Sequence, residues 1–122
     1  MKTVKVEKMN KAERIQCEEI ISRYARNAVG GTLQTKFGTT VNVAEITKMA
    51  RTLAKVFKVT MKKTLVASMV VNALKKAESR MVVSEFVKIF PNSGGDANVE
   101  LTVTTIKVAG RQIAESFANQ RR

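Results

Sequence analysis

Between Ile46 and Lys76 the chain carries Lys48, Arg51, Lys55, Lys58, Lys62, Lys63, Lys75 and Lys76 and not one Asp or Glu. Ammonium and guanidinium groups at that density attract phosphates or carboxylates and form charge-assisted hydrogen bonds with them. The first five are spaced 3, 4, 3, 4, which places them above one another on one face of a helix. Ile46, Met49, Ala50, Leu53 and Phe57 then take the opposite face, the one that would meet a core. Like charges at i,i+4 destabilise an isolated helix by roughly 0.2–0.5 kcal/mol per pair. The segment 10–29, by contrast, mixes Glu among its Lys and Arg. The acid-free stripe points to an anionic partner; a solvated lysine face is the plainer alternative.

Inside the same stretch, Leu53–Leu65 resembles a helix-turn-helix. Ala54 stands where the first helix needs a small residue, Val59 where the turn needs an apolar plug, and Thr60 where the second helix needs a cap. Two residues depart from the pattern. Lys58 takes the place where glycine eases the turn, and Thr64 stands where an aliphatic residue packs inward. In such a motif the start of the second helix faces the major groove. Met61, Lys62, Lys63 and Thr64 offer phosphate contacts there, but no Arg, Asn or Gln for bidentate base reading. Lys107–Phe117 echoes Lys48–Phe57 with Gly110 inserted, which adds Lys107 and Arg111 to the candidate nucleic-acid-binding set Lys48, Arg51, Lys55, Lys58, Lys62 and Lys63.

Other chemistry is scarce. Without histidine there is no Ser-His-Asp or Cys-His relay and no His-ligated metal. A lone Cys17 between Gln16 and Glu18 closes no intramolecular disulfide and builds no cysteine zinc site; it reads as a small packing residue. Neither the Walker pattern nor Gly-x-Gly-x-x-Gly occurs, and Glu18, Glu19 and Asp96 look like surface carboxylates. The expectation is a binding protein rather than an enzyme, with no catalytic residue, metal or cofactor.

The elements that must position the cations follow from caps and periodicity. Residues 2–7 alternate as a strand, with Lys2, Lys5 and Lys8 adding edge charge as Arg121 and Arg122 do at the other end. Asn10 with Glu13 forms a capping box opening a helix through Ile15, Ile20, Ile21, Tyr24, Ala25 and Ala28, which Gly30-Gly31 ends. Residues 32–41 read as a strand, or as a hairpin turning near Gly38. Asn42 repeats the Asn-x-x-Glu start, and with no Gly or Pro before Pro91 the segment 42–79 is one long helix or two; a break near Val59-Thr60 is preferred. Ser84 caps a short helix stopped by Pro91, 92–96 form a loop, Val99–Val103 a strand, and Thr104 or Thr105 opens a last helix reaching Asn119.

The predicted fold class is α+β and predominantly helical. Four or five helices pack around a central apolar helix, residues 60–79, with a small two- or three-stranded sheet. A chain of 122 residues with 44% hydrophobic residues makes one domain, 1–122. The longest apolar run, Leu65–Leu74, is far short of the roughly 20 residues that span a bilayer, and Met1–Asn10 lacks the apolar region of a secretory signal. The expected setting is the cytoplasm, at the nucleoid if the target is DNA. A net charge of +12 and a pI near 10.3 make nucleic acid the leading partner, DNA ahead of RNA. The five Phe, one Tyr and absent Trp argue against a base-stacking platform. A small basic adaptor or inhibitor on an acidic protein surface, or an RNA-binding subunit of a ribonucleoprotein complex, is the alternative. A membrane surface is disfavoured, since no Trp anchors an interfacial helix. The apolar breadth of residues 65–74, with Met81 and Val82, suggests the seam of a homodimer.

Overall fold

The structure is a computed structural model and describes residues 9–35, 39–80 and 96–121. The expected strand 2–7, the hairpin tip near Gly38, the short helix from Ser84 to Pro91 and the Met81–Val82 part of the seam lie outside the described residues. Within them, four helices and a two-stranded antiparallel sheet form in the order α1 (Lys11–Ala25), β1 (Val29–Gln34), β2 (Thr40–Val41), α2 (Val43–Val56), α3 (Lys63–Arg80) and α4 (Asp96–Arg121). The fold is α+β and predominantly helical, as the residue pattern predicts.

Asn10 starts α1 as expected: its side chain accepts from the Glu13 N–H at 2.8 Å, and Glu13 accepts from the Asn10 N–H at 3.1 Å. The helix stops earlier than the glycines suggest. Gly30 and Gly31 belong to β1, because Gly31 crosses so close to the Val41–Asn42 backbone that a Cβ would sit 2.6 Å from Asn42 Cα. The Asn42 N–H donates to Ala28 O at 2.7 Å, tying the start of the hairpin to its end. The pairing Val29↔Val41, Leu33↔Val41 and Gln34↔Thr40 carries an irregularity between Val29 and Leu33. The hairpin reading of 32–41 therefore holds, with β1 starting earlier. Asn42 then caps α2, accepting from the Glu45 N–H at 3.2 Å.

Helices α2 and α4 touch each other and both of the remaining helices, while α1 and α3 pack mainly on that pair and little on each other. The hairpin rests against α2 and α4. The central element is thus the α2–α4 pair and not residues 60–79. Helix α3 buries one stripe, Val66, Val70, Ala73, Leu74 and Ala77, and leaves Leu65 55% exposed. Gly110 lets α4 pack tightly on α1 and α2: an added Cβ would meet Ile21 Cγ1 at 3.0 Å and Met49 Cε at 3.2 Å.

The strand expected at Val99–Val103 is instead the early part of α4, so the final helix begins at Asp96 rather than at Thr104 or Thr105. β-branched residues favour strands only weakly, and tertiary burial overrides that preference. Leu101, Thr102, Val103, Thr105 and Ile106 are all buried. Their polar atoms are satisfied inside the bundle. The Thr105 hydroxyl donates to Leu101 O at 2.8 Å, and Thr102 shares a hydrogen bond with Thr39, which in turn meets Thr35 Oγ1 at 3.1 Å.

Candidate functional site

The buried face of α2 is the one its periodicity assigns: Ile46, Met49, Ala50 and Leu53 are fully buried and Phe57 nearly so. Burying that face turns Lys48, Arg51 and Lys55 outward, and all three are exposed. They cover about 10 Å of helix at 1.5 Å per residue. Lys48 lies 3.3 Å from the Glu45 carboxylate, with the lysine mostly in solvent.

Lys58 and Lys62 do not continue the helical face, because α2 ends at Val56. Phe57 closes the helix, and Lys58 adopts a left-handed conformation with φ 57°. The Lys58 N–H donates to Lys55 O at 3.2 Å and the Val59 N–H to Ala54 O at 3.0 Å, the paired bonds of a Schellman cap. Val59 then packs on the core, and so does Met61. The break between two helices is therefore where the sequence places it, with Ala54 buried and Val59 as the plug. Thr60 is not the cap: it is exposed, and α3 begins at Lys63, with the Val66 N–H donating to Lys62 O at 3.1 Å. The connection 57–62 exceeds the three- or four-residue turn of a helix-turn-helix. It also moves the exposed start of α3 from Met61–Thr64 to Lys63, Thr64 and Leu65, with Lys62 exposed just before it.

The structure thus joins Lys48, Arg51, Lys55, Lys58, Lys62 and Lys63 into one exposed, contiguous α2–turn–α3 segment. It puts Lys107 and Arg111 elsewhere. On α4 they share a stripe with Glu100, along the edge that meets α1. Glu100 takes Arg26, the residue that caps the end of α1, at 3.0 Å, and Arg111 forms two hydrogen bonds to Glu18 at 2.9 and 3.1 Å. The bond to Glu18 raises the Arg111 pKa. These pairs fasten α1 antiparallel to α4, and Lys107, half-buried, stands between them.

Cys17 is 2% exposed, and burial, with the Glu13 and Glu18 carboxylates, pushes its thiol up to about 11. It is a packing thiol, not a thiolate. Among the described residues no group of three His, Cys, Asp or Glu side chains could hold a metal ion, and no helix is long and apolar enough to cross a membrane. Sequence reasoning singled out neither Asn72 and Arg80 of α3 nor Gln112, Ser116 and Asn119 of α4, which line a common groove. Their signal, counting Lys76 between Asn72 and Arg80, is a run of polar side chains three or four residues apart on two helices whose other faces are apolar.

Comparison with protein families, with curated proteins and with solved structures finds no match.

Proposed function

We propose that the α2–turn–α3 segment binds nucleic acid, duplex DNA ahead of RNA, and that the protein is a binding protein without a catalytic step. The observation that carries this reading is a run of six exposed cations, Lys48, Arg51, Lys55, Lys58, Lys62 and Lys63, between Glu45 and Glu78 with no carboxylate among them. Among the described residues, only Lys48 of the six meets a carboxylate, that of Glu45 at the edge of the run, whereas Arg111 and Arg26 are held by Glu18 and Glu100.

The binding energy would come from release of counterions condensed on the phosphates. Phosphate contacts position a protein and carry no sequence information. The start of α3 offers only Lys62, Lys63 and Thr64 toward a groove, so sequence preference is weak and affinity depends strongly on salt.

The test is charge reversal. Arg51→Glu, Lys55→Glu, Lys58→Glu and Lys62→Glu together should abolish binding to a duplex while leaving the circular dichroism spectrum unchanged, since all four are exposed. With about five phosphate contacts, the log–log dependence of affinity on salt should have a slope near −4 to −5. A slope near zero, or full binding by the quadruple variant, refutes the segment as the site. Parallel titrations with single-stranded DNA and RNA decide between nucleic acids. Failure with all of them, alongside capture of an acidic protein, would make the adaptor reading the better one.

A further inference from the structure

A groove of about 440 Å³ runs between α3 and α4, within the size range of small-molecule sites. Its walls sort by chemistry. Met69, Ala73 and Ile113 form an apolar floor, and Lys76 and Arg80, one turn apart on α3, supply two cations. Neither cation is paired with a carboxylate among the described residues. Asn72, Gln112, Ser116 and Asn119 add amides and a hydroxyl, and Glu115 is the single acid. Met69 and Arg80 are about 16 Å apart along the helix, so the floor and the charge occupy different ends of the α3 wall.

A cation in the last turn of a helix favours its dipole without any ligand, as Arg80 does, and Lys76 one turn earlier is an ordinary exposed lysine, so the two alone would mean little. Gln112 is what the dipole leaves unexplained. Its Nε2 is buried and makes no hydrogen bond, the one such side-chain atom among the described residues. Leaving a buried amide donor unsatisfied is unfavourable, and unpaired polar groups of this kind recur at functional positions. Gln112 also forms part of the groove wall, so a turn of its side chain would offer that donor to a ligand acceptor.

We propose that this groove binds a nucleoside monophosphate, either free or as the phosphorylated end of a strand. The phosphate is taken by Lys76 and Arg80 through charge-assisted hydrogen bonds. The flat base lies against Met69, since Ala73 and Ile113 are almost fully buried beneath it, and its ring edge accepts from the Gln112 amide once that side chain turns into the groove. Amide side chains suit that role because they present a donor and an acceptor in one plane, as they do toward base edges elsewhere. Glu115 can accept from an exocyclic amine or a ribose hydroxyl, so a single acid in a cationic groove fits a ligand with donors as well as a phosphate. The site is separate from the α2–turn–α3 face and does not rest on that face binding nucleic acid.

Calorimetric titration of the full chain tests it, with adenosine and cytidine 5′-monophosphates, the parent nucleosides, inorganic phosphate, and a short oligonucleotide with and without a 5′-phosphate. Saturable one-to-one binding of at least one monophosphate is expected, with no binding of its nucleoside. Lys76→Ala and Arg80→Ala should each weaken it about tenfold. Gln112→Leu should do the same while leaving the thermal midpoint unchanged or higher, since it removes an unpaired buried donor. Binding by the 5′-phosphorylated oligonucleotide alone would assign the groove to strand ends. The Arg51→Glu, Lys55→Glu, Lys58→Glu, Lys62→Glu variant should bind the monophosphate as the parent does, which separates failure of one site from failure of the other. No saturable binding of any phosphorylated probe, equal binding of nucleoside and monophosphate, or undiminished binding by the Lys76 and Arg80 variants overturns the proposal.

Discussion

At Lys58 the backbone and the side chain favour different residues. A left-handed conformation costs an L-residue roughly 1–2 kcal/mol, and glycine avoids that cost while losing roughly 0.4–1 kcal/mol to its freer unfolded chain. Lys58→Gly should therefore stabilise the fold by about 0.5–1 kcal/mol in chemical denaturation. The same change removes one phosphate contact, so the salt slope of DNA binding should become shallower by about 1. Greater stability with an unchanged slope would mean Lys58 faces solvent only. Cys17 gives a prediction in pH. The folded protein holds the thiol proton up to about 11, whereas an unfolded chain releases it near pH 9. Between those values the unfolded state binds fewer protons, so stability falls as pH rises. The parent should lose up to about 2 kcal/mol more across that window than Cys17→Ala, a difference that cancels lysine titration common to both. Individual residues were legible where a single local rule governs them, as with the Asn10–Glu13 box or the inert Cys17. Arg111 was not: its partner Glu18 is far away in sequence, and no spacing rule reveals a pair between two helices.

Among the elements, the α2–turn–α3 unit makes its own prediction. If the start of α3 faces a duplex, Lys62→Ala and Lys63→Ala should each weaken DNA binding more than Lys75→Ala, although all three remove one exposed charge. Equal losses in a filter-binding or anisotropy series would reduce the unit to a source of long-range field. How much of each element could be read in advance depended on what sets its boundaries. Helix α2 was legible because its cap, its apolar period and its acid-free outer face agree. The start of α4 was not, because Val99, Leu101 and Val103 alternate like a strand and only their burial in the folded chain decides otherwise. The end of α1 was misjudged for a related reason: Gly30 and Gly31 look like a helix stop, but the hairpin needs Gly31 where two backbones nearly touch. The six-cation segment could be named from sequence. Its division into a helical face, a left-handed turn and a second helix start could not, because that depends on how Val59 and Met61 seat in the core.

For the molecule as a whole, the homodimer remains a proposal, now with a narrower seam. Val70 is fully buried inside one chain, so Val70→Asp should unfold the protein, at a cost of several kcal/mol for an unpaired buried charge. Leu65 and Val71 are what α3, outside its groove with α4, still offers a second copy. Val71→Asp should keep the fold and, if that face joins two chains, reduce the light-scattering mass from twice 13.5 kDa to 13.5 kDa. A parent mass constant at 13.5 kDa over a hundredfold dilution removes the dimer. The pairing of α2 with α4 at the centre also has a consequence during synthesis. Ribosomes add about 5–20 residues per second, so α2 is made several seconds before the helix that covers it. Until α4 emerges, Ile46, Met49 and Leu53 have, among the described elements, α1, α3 and the hairpin to meet, and the nascent chain presents a greasy, positively charged surface beside ribosomal RNA. Translation that stalls ahead of Asp96 should leave a product that sticks and is degraded, whatever the finished protein binds.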